Sequence, residues 1–145
     1  MNDDKYIVIP DDPYDFFEFA YERGWTDGFP VVPPTEERVE AFVRTANRSP
    51  DEVIAEVEPR KGLATVETIA VNAVMAGCRP EYMPALIAMV QAVSQPRFNL
   101  NGIQATTNPV APLTIINGRF RTEAGMNAGR GALGPGNRAN ATLGR

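Results

Sequence analysis

Apolar positions recur at helical spacing through the first part of the chain and predict four helices. Asp12, Thr35 and Thr65 stand where a capping residue is expected at a helix start, and Gly77 stands just past the end of the third helix. The first helix carries so many aromatic side chains that we expect it to pack against another surface. The predicted helices cover residues 13–23, 36–46, 66–76 and 80–93.

The apolar pattern changes at several other points along the chain. Residues 52–58 alternate between polar and apolar positions and predict either a strand or a short helix. A glycine-rich loop over residues 125–137 leads to a final helix that begins at Arg138. Helices followed by short strands and a Gly/Asn-rich loop predict an α+β fold. The other predicted strands are residues 5–10 (a short strand or an extended arm), 102–106 and 112–117.

Length and charge add an internal division to this picture. The 145 residues predict a single domain over 1–145. Residues 1–95 carry 17 acidic and 8 basic side chains, a net charge of −9, whereas residues 96–145 carry one acid and six arginines, a net charge of +5. The second part also holds 8 of the 12 glycines and 7 of the 10 asparagines. We expect this part to bind a small anion, to contact another subunit or to neutralise the acidic part.

The chain contains no histidine and one cysteine, Cys78. Ser-His-Asp catalysis, Cys-His catalysis and histidine-ligated metal sites therefore cannot be built from this chain alone. One cysteine makes no internal disulfide and is typical of a reducing cytoplasm. Neither a transmembrane helix nor a secretory signal is evident. The arginines are not interleaved with aromatic residues, which argues against nucleic-acid binding. The sequence provides no metal ligand set of its own and does not identify a cofactor.

Cys78 is the first candidate for chemistry, because it lies between the third and fourth predicted helices. The N–H groups of a helix start, with Arg79 adjacent, favour a thiolate and hence a nucleophilic or redox cysteine. The alternative is a buried cysteine that fills space. Asp27 is a second candidate, as a base or an orienting acid. An aspartate before a glycine more commonly forms a turn, however.

Two polar segments are candidates for substrate binding. The first is a nearly uncharged run of amides and hydroxyls, which indicates either an interior polar site or a turn-rich connector. Its candidate residues are Asn99, Asn101, Gln104, Thr106, Thr107 and Asn108. The second is the glycine-rich loop, which has neither a Walker A ending nor a Rossmann spacing but suits a carboxylate or another small anion. Its candidate residues are Asn127, Arg130, Asn137, Arg138 and Asn140.

Four segments resemble a bacterial family whose members are often labelled as thioredoxin or thiol–disulfide proteins and are associated with the UGSC-motif (seleno)proteins. The segments are residues 25–35 (WTDGFPVVPPT), 73–82 (AVMAGCRPEY), 98–112 and 133–144. The resemblance covers most of residues 24–145 and implies thiol or selenol chemistry. The chain has no Cys-x-x-Cys, so its residues do not support the thioredoxin label.

Members of that family continue past the position of Arg145 with a further cysteine-containing segment. We therefore expect this chain to be the amino-terminal part of the family fold. Either it is a shortened piece, or a separate partner polypeptide supplies the carboxyl-terminal part. We favour the second alternative, a split enzyme.

Three functions follow as hypotheses. The first is a subunit of a heteromeric bacterial enzyme, an oxidoreductase or lyase that acts on a small organic acid or thiol compound through Cys78. The second is a non-catalytic scaffold or binding subunit in which the cysteine is buried. The third is a chain that contributes Cys78 to a metal site at a subunit interface. The expected partners are a second protein subunit and an anionic small molecule, without nucleic acid or membrane, in the cytoplasm.

Overall fold

A computed structural model describes residues 6–145. The chain divides into two units, Met1–Pro33 and Pro34–Arg145. The described residues contain seven α-helices and one antiparallel sheet of two strands, so the α+β prediction is confirmed. The expectation of a single domain stays a prediction.

The described part of the first unit contains one helix, α1 (Pro13–Glu22). The carboxylate of Asp12 accepts hydrogen bonds from the N–H groups two and three positions later, at 2.8 and 3.1 Å, so the predicted cap is present. Phe16 and Ala20 on this helix are fully buried. The predicted strand or arm at residues 5–10 begins outside the described residues, and its described part forms no strand.

The second unit begins with α2 (Glu36–Ala46) and a hairpin of two strands, β1 (Val53–Val57) and β2 (Gly62–Thr65). The strands run antiparallel, with Val53 opposite Thr65 and Val57 opposite Gly62. Of the two alternatives for residues 52–58, the strand is therefore correct. The sequence left both alternatives open because the partner strand β2 has only four residues, which are too few to show an alternating pattern.

Helix α3 (Val66–Met75) follows β2 directly, and the side chains of Thr65 and Thr68 each bond to the backbone N–H of the other in a capping box. Gly77 has φ +82° just past this helix, as predicted. A 3-10 turn at Pro80–Tyr82 then leads into α4 (Met83–Val93). The predicted fourth helix is present, with a tighter first turn.

Two predicted strands are wrong. Residues 102–106 lie almost entirely in α5 (Leu100–Ala105), which follows a 3-10 turn at Pro96–Phe98. Residues 112–117 have no regular secondary structure and pair with no strand among the described residues. β-branched residues favour strands, but a strand also needs a partner for its backbone N–H and C=O groups, and only the tertiary structure supplies one.

The last part of the chain contains two short helices, α6 (Arg119–Glu123) and α7 (Arg138–Leu143). Ala139 and Leu143 of α7 join the hydrophobic core that α2, α3 and α4 form. Met83 is fully buried in this core, and Cys78 is also one of its members. Burial of this apolar surface stabilises the second unit and positions the cysteine. No helix among the described residues is long and apolar enough to cross a membrane.

Candidate functional site

Cys78 lies in the core of the second unit, between the end of α3 and the 3-10 turn before α4. The residue is only 5% exposed. Its thiol donates a hydrogen bond to the main-chain carbonyl of Thr142 at 3.2 Å. Its backbone N–H donates to the carbonyl of Ala73 at 2.9 Å. The sulfur is therefore held in one position and largely shielded from solvent.

Burial raises the pKa of the Cys78 thiol, because a thiolate would lose its hydration in the apolar core. The positive charge of Arg138 acts in the opposite direction but does not cancel the effect of burial. Cys78 is therefore protonated at neutral pH. The raised pKa argues against the thiolate that a position at a helix start predicts. The sequence shows the helix start but does not show the burial.

Arg138 reaches the Cys78 segment from the first residue of α7. Its Nε donates to the carbonyl of Gly77 at 2.8 Å, and a terminal guanidinium nitrogen donates to the carbonyl of Cys78 at 3.1 Å. A charged group that bonds to two successive carbonyls ties the start of α7 to the end of α3. The role of Arg138 in binding a substrate anion stays a prediction.

The glycine-rich loop before α7 is held together by asparagine amides. Asn140 accepts a hydrogen bond from the N–H of Asn127 at 3.0 Å and donates to the carbonyls of Asn127 and Ala132, both at 2.9 Å. Asn137 accepts from the N–H of Asn140 at 3.0 Å and donates to the carbonyl of Gly125 at 2.8 Å. These predicted substrate-binding amides thus stabilise the loop through its own backbone.

Arg130 lies at an exposed position in the same loop. The side chain of Asn127 donates to its carbonyl at 3.1 Å and accepts from the N–H of Gly129 at 2.9 Å. The guanidinium of Arg130 forms no hydrogen bond or ion pair with the rest of the described chain. Its donors are therefore available to an anion, which remains its predicted role.

Asn99 and Asn101 lie at the start of α5, where they line a broad groove of about 810 Å³. The groove also contacts β1 and the end of α4. Asn99 adopts a left-handed conformation with φ +55°, which asparagine tolerates better than most residues. These two predicted substrate-binding residues are thus brought together at one concave surface, apart from Cys78.

The other candidates of the amide-rich segment make both long-range and local contacts. Gln104 donates to the carbonyl of Glu58 at 3.0 Å. The N–H of Asn108 donates to the hydroxyl of Thr106 at 3.1 Å, and Thr107 between them is exposed. Most of these residues are exposed, and the contact between Asn108 and Thr106 is the local bonding that a connector would show. A role of this segment in substrate binding stays a prediction.

Asp27 belongs to the first unit and is exposed. Its carboxylate accepts hydrogen bonds from the N–H of Phe29 at 3.2 Å and from the hydroxyl of Thr26 at 3.3 Å. This is the turn that an aspartate before a glycine commonly forms. A catalytic role for Asp27 stays a prediction.

A cavity of about 280 Å³ has Cys78 in its wall. Most of the wall is apolar and comes from the hairpin, α3, α4 and α7. Its polar side chains are those of Thr68, Asn72 and Thr142, and Arg145 is its one charged residue. The surroundings of the buried thiol therefore contain space for a small molecule.

Nine successive residues, 107–115, are all exposed. Leu113 is 72% exposed and Ile115 is 79% exposed, whereas Ile116 packs against the core. The backbone of residues 111–116 makes no hydrogen bond with any other described residue. The stretch from 98 to 118 contains no charged side chain. We call residues 107–115 the exposed apolar segment, because all nine residues are exposed and the backbone of the last five makes no hydrogen bond with any other described residue.

The structure adds two residues that sequence analysis missed. Thr142 accepts the thiol hydrogen bond through its main chain, so its residue type carried no signal. Asn72 lies in the cavity wall, and its side chain donates to the carbonyl of Thr68, four positions earlier in α3, at 2.8 Å. Any helix allows this spacing, so the sequence carried no signal for it. Of the predicted residues, the structure brings together Cys78 and Arg138, Asn99 and Asn101, and the trio Asn127, Asn137 and Asn140.

No protein-family model, curated protein or solved structure matched the chain. The thiol or selenol chemistry implied by the family resemblance therefore stays a prediction. Within residues 6–145, no group of three or more histidine, cysteine, aspartate or glutamate side chains could hold a metal ion. A metal site at a subunit interface also stays a prediction, and its other ligands would come from a partner.

Proposed function

We propose that this chain is a protein-binding subunit of a heteromeric enzyme and that Cys78 is one of its structural residues. The observation that supports this proposal is the exposed apolar segment. Leu113 and Ile115 are exposed to solvent, and the backbone of residues 111–116 makes no hydrogen bond with any other described residue. A partner subunit that covered them would gain on the order of 2 kcal/mol for each side chain removed from water.

The state of Cys78 supports a structural role over a catalytic one. A cysteine nucleophile needs an accessible thiolate. Cys78 is buried, its thiol donates a hydrogen bond to the main-chain carbonyl of Thr142, and burial raises the pKa of the thiol. The single free cysteine is consistent with a reducing compartment, so the cytoplasm is the proposed location.

The charge pattern of residues 96–145 favours a partner whose binding surface is acidic. Residues 96–145 carry six arginines and one acid, and none of these charges falls between residues 98 and 118. Along the chain, this uncharged stretch lies between basic residues, Arg97 on one side and Arg119 on the other. This arrangement resembles the anatomy of protein interfaces, where charges are depleted at the core and enriched at the rim.

The test is capture of partners by the tagged chain from extracts of its native organism. The double variant Leu113→Asp/Ile115→Asp places charges on the exposed apolar segment, and Leu133→Asp is the matched control, since Leu133 is 93% exposed elsewhere. We expect the wild type and the control to retain one stoichiometric partner that the double variant loses. Equal capture by all three proteins would contradict the proposal.

A second candidate function is a cysteine-dependent subunit that acts on a small organic acid or thiol compound. The observation that favours it is the position of Cys78 in the wall of the 280 Å³ cavity. The substitution Cys78→Ser, assayed in the complete complex, separates the two functions. Full activity would support the structural role, whereas loss of activity with an intact complex would support the cysteine-dependent role.

A further inference from the structure

We propose that the 280 Å³ cavity binds a small, uncharged aromatic molecule that carries one N–H or O–H donor. This inference concerns a site beside the core of the second unit and does not depend on the partner protein proposed above. It rests on the volume of the cavity, the apolar character of its wall and one polar atom of that wall.

The volume of the cavity sets the size of the ligand. An apolar protein cavity of about 150 Å³ stays dry and holds benzene. At about 280 Å³, the cavity beside Cys78 is nearly twice as large. A bicyclic aromatic molecule the size of indole therefore suits it better than a single ring.

The wall of the cavity favours an apolar ligand over water. Ile69, Leu86, Val90 and Leu143 contribute branched apolar side chains from α3, α4 and α7. An ordered water needs two to four polar partners, which these four apolar side chains do not supply. The sulfur of Cys78 lies in the same wall, and thioether and thiol sulfur atoms contact aromatic rings favourably.

The polar atoms of the wall determine which donor the ligand carries. The hydroxyls of Thr68 and Thr142 donate to the carbonyls of Thr65 and Arg138. The amide nitrogen of Asn72 donates to the carbonyl of Thr68, but the Asn72 oxygen accepts no hydrogen bond from any described residue. Asn72 is an exposed residue of the lining, so its oxygen is available at the open side of the cavity as the acceptor for a ligand N–H or O–H.

The charge of the ligand follows from Arg145, the charged residue of the lining. Arg145 is exposed and already has an interaction partner. The lining contains no acidic side chain. A ligand cation would therefore meet no counter-charge, and a ligand anion would lose its hydration against a mostly apolar wall, so an uncharged molecule fits this wall.

Titration of the full chain with indole, followed through methyl NMR signals, tests the site. Saturable shifts are expected at Ile69, Leu86 and Val90, and not at Val39, a core residue outside the cavity wall. Benzofuran has the shape of indole without its N–H, and we expect it to bind about fivefold more weakly. Absence of saturable shifts at millimolar indole would overturn the proposal, as would saturation at Leu113 alone.

Three variants locate the site and its acceptor. Ala76→Leu fills the cavity and should weaken indole binding at least tenfold, whereas Ala92→Leu on the exposed side of α4 should leave it unchanged. Asn72→Leu should remove the preference for indole over benzofuran. If Ala76→Leu does not fold, Ala64→Leu in β2 replaces it, because Ala64 also lines the cavity. Binding that both filling variants leave intact, or a preference that survives in Asn72→Leu, refutes the assignment.

Discussion

The Cys78 thiol and the main-chain carbonyl of Thr142 are joined by a hydrogen bond of 3.2 Å across 64 positions of sequence. Arg138 adds two bonds from α7 to the carbonyls of Gly77 and Cys78. The cysteine therefore belongs to the junction between the end of α3 and α7. Ionisation of the thiol would therefore lower the stability of this junction.

The first prediction concerns the pH dependence of stability. The pKa of the folded thiol is raised above its ordinary value of 9.0. Below that value the unfolded chain and the folded chain both keep the proton, and the stabilising contribution of the neutral thiol is complete. Above it, the unfolded chain releases its proton first, so the free energy of unfolding falls until the folded thiol also ionises.

Urea unfolding of the wild type and of Cys78→Ser at pH 7 and pH 10.5 measures this effect. Serine does not titrate in this range, so the wild type should lose more stability than the variant over the same interval. Other titrating groups are shared by both proteins and cancel in the comparison. Identical pH profiles would show that burial does not perturb the cysteine.

The second prediction concerns thiol access. A thiol reagent should modify native Cys78 at least a hundredfold more slowly than the same residue in urea, because the residue is 5% exposed and its thiolate is disfavoured. The measurement is the rate of reaction with an aromatic disulfide at pH 8, with free cysteine as the control. Rapid reaction in the native state would favour the cysteine-dependent function.

The third prediction concerns the asparagine that anchors the glycine-rich loop. Asn140→Ala removes three hydrogen bonds to Asn127 and Ala132 and leaves their partner groups without bonds, so it should lower the free energy of unfolding by about 2 kcal/mol. Asn117→Ala is the control at an exposed position and should change it by less than about 0.5 kcal/mol. Equal effects in urea unfolding would mean that the network contributes nothing.

The fourth prediction compares two threonines at helix starts. Thr65 accepts a hydrogen bond from the N–H of Thr68 at 3.1 Å, whereas Thr35 stands at the start of α2 without a side-chain cap bond. Thr65→Ala should therefore cost about 1 kcal/mol of unfolding free energy, and Thr35→Ala should cost clearly less. A larger loss for Thr35→Ala would contradict the capping difference.

The fifth prediction concerns the turn after α3. Gly77 has φ +82°, and an added Cβ would meet a Thr142 side-chain carbon only at an ordinary 3.7 Å. Gly77→Ala should therefore cost about 1–2 kcal/mol through backbone conformation rather than through a clash. Gly62→Ala is the control, because Gly62 has open space and no positive φ. Thermal unfolding of the two variants should differ by several degrees.

Local signals in the sequence predicted much of the secondary structure. Helices α1 to α4 and the start of α7 lie close to the expected positions, because helical periodicity and caps act over a few residues. The cap at Thr35 shows the limit of such signals. Its residue type and position match those of Thr65, but only Thr65 makes the side-chain bond.

The predicted strand at residues 112–117 failed for a different reason. Its β-branched residues favour an extended backbone over a helix. An extended segment becomes a strand only when the edge of another strand is available to pair with it. The hairpin β1–β2 supplies no edge to it in the described chain. The resulting exposed apolar segment, with Leu113 and Ile115 in solvent, became visible only in three dimensions.

The candidate site likewise has features that composition determines and features that only the tertiary structure determines. Composition by itself determined that the chain has one cysteine, no histidine and an arginine-, glycine- and asparagine-rich last third, and so excluded imidazole-based chemistry within this chain. The tertiary structure decided that Cys78 is buried against Thr142, that Asn140 anchors a loop and that Asn72 lies in the wall of a cavity. Composition and periodicity are local properties. Burial, hydrogen-bond partners and pKa depend on contacts between residues far apart in the chain, and only folding brings these residues together.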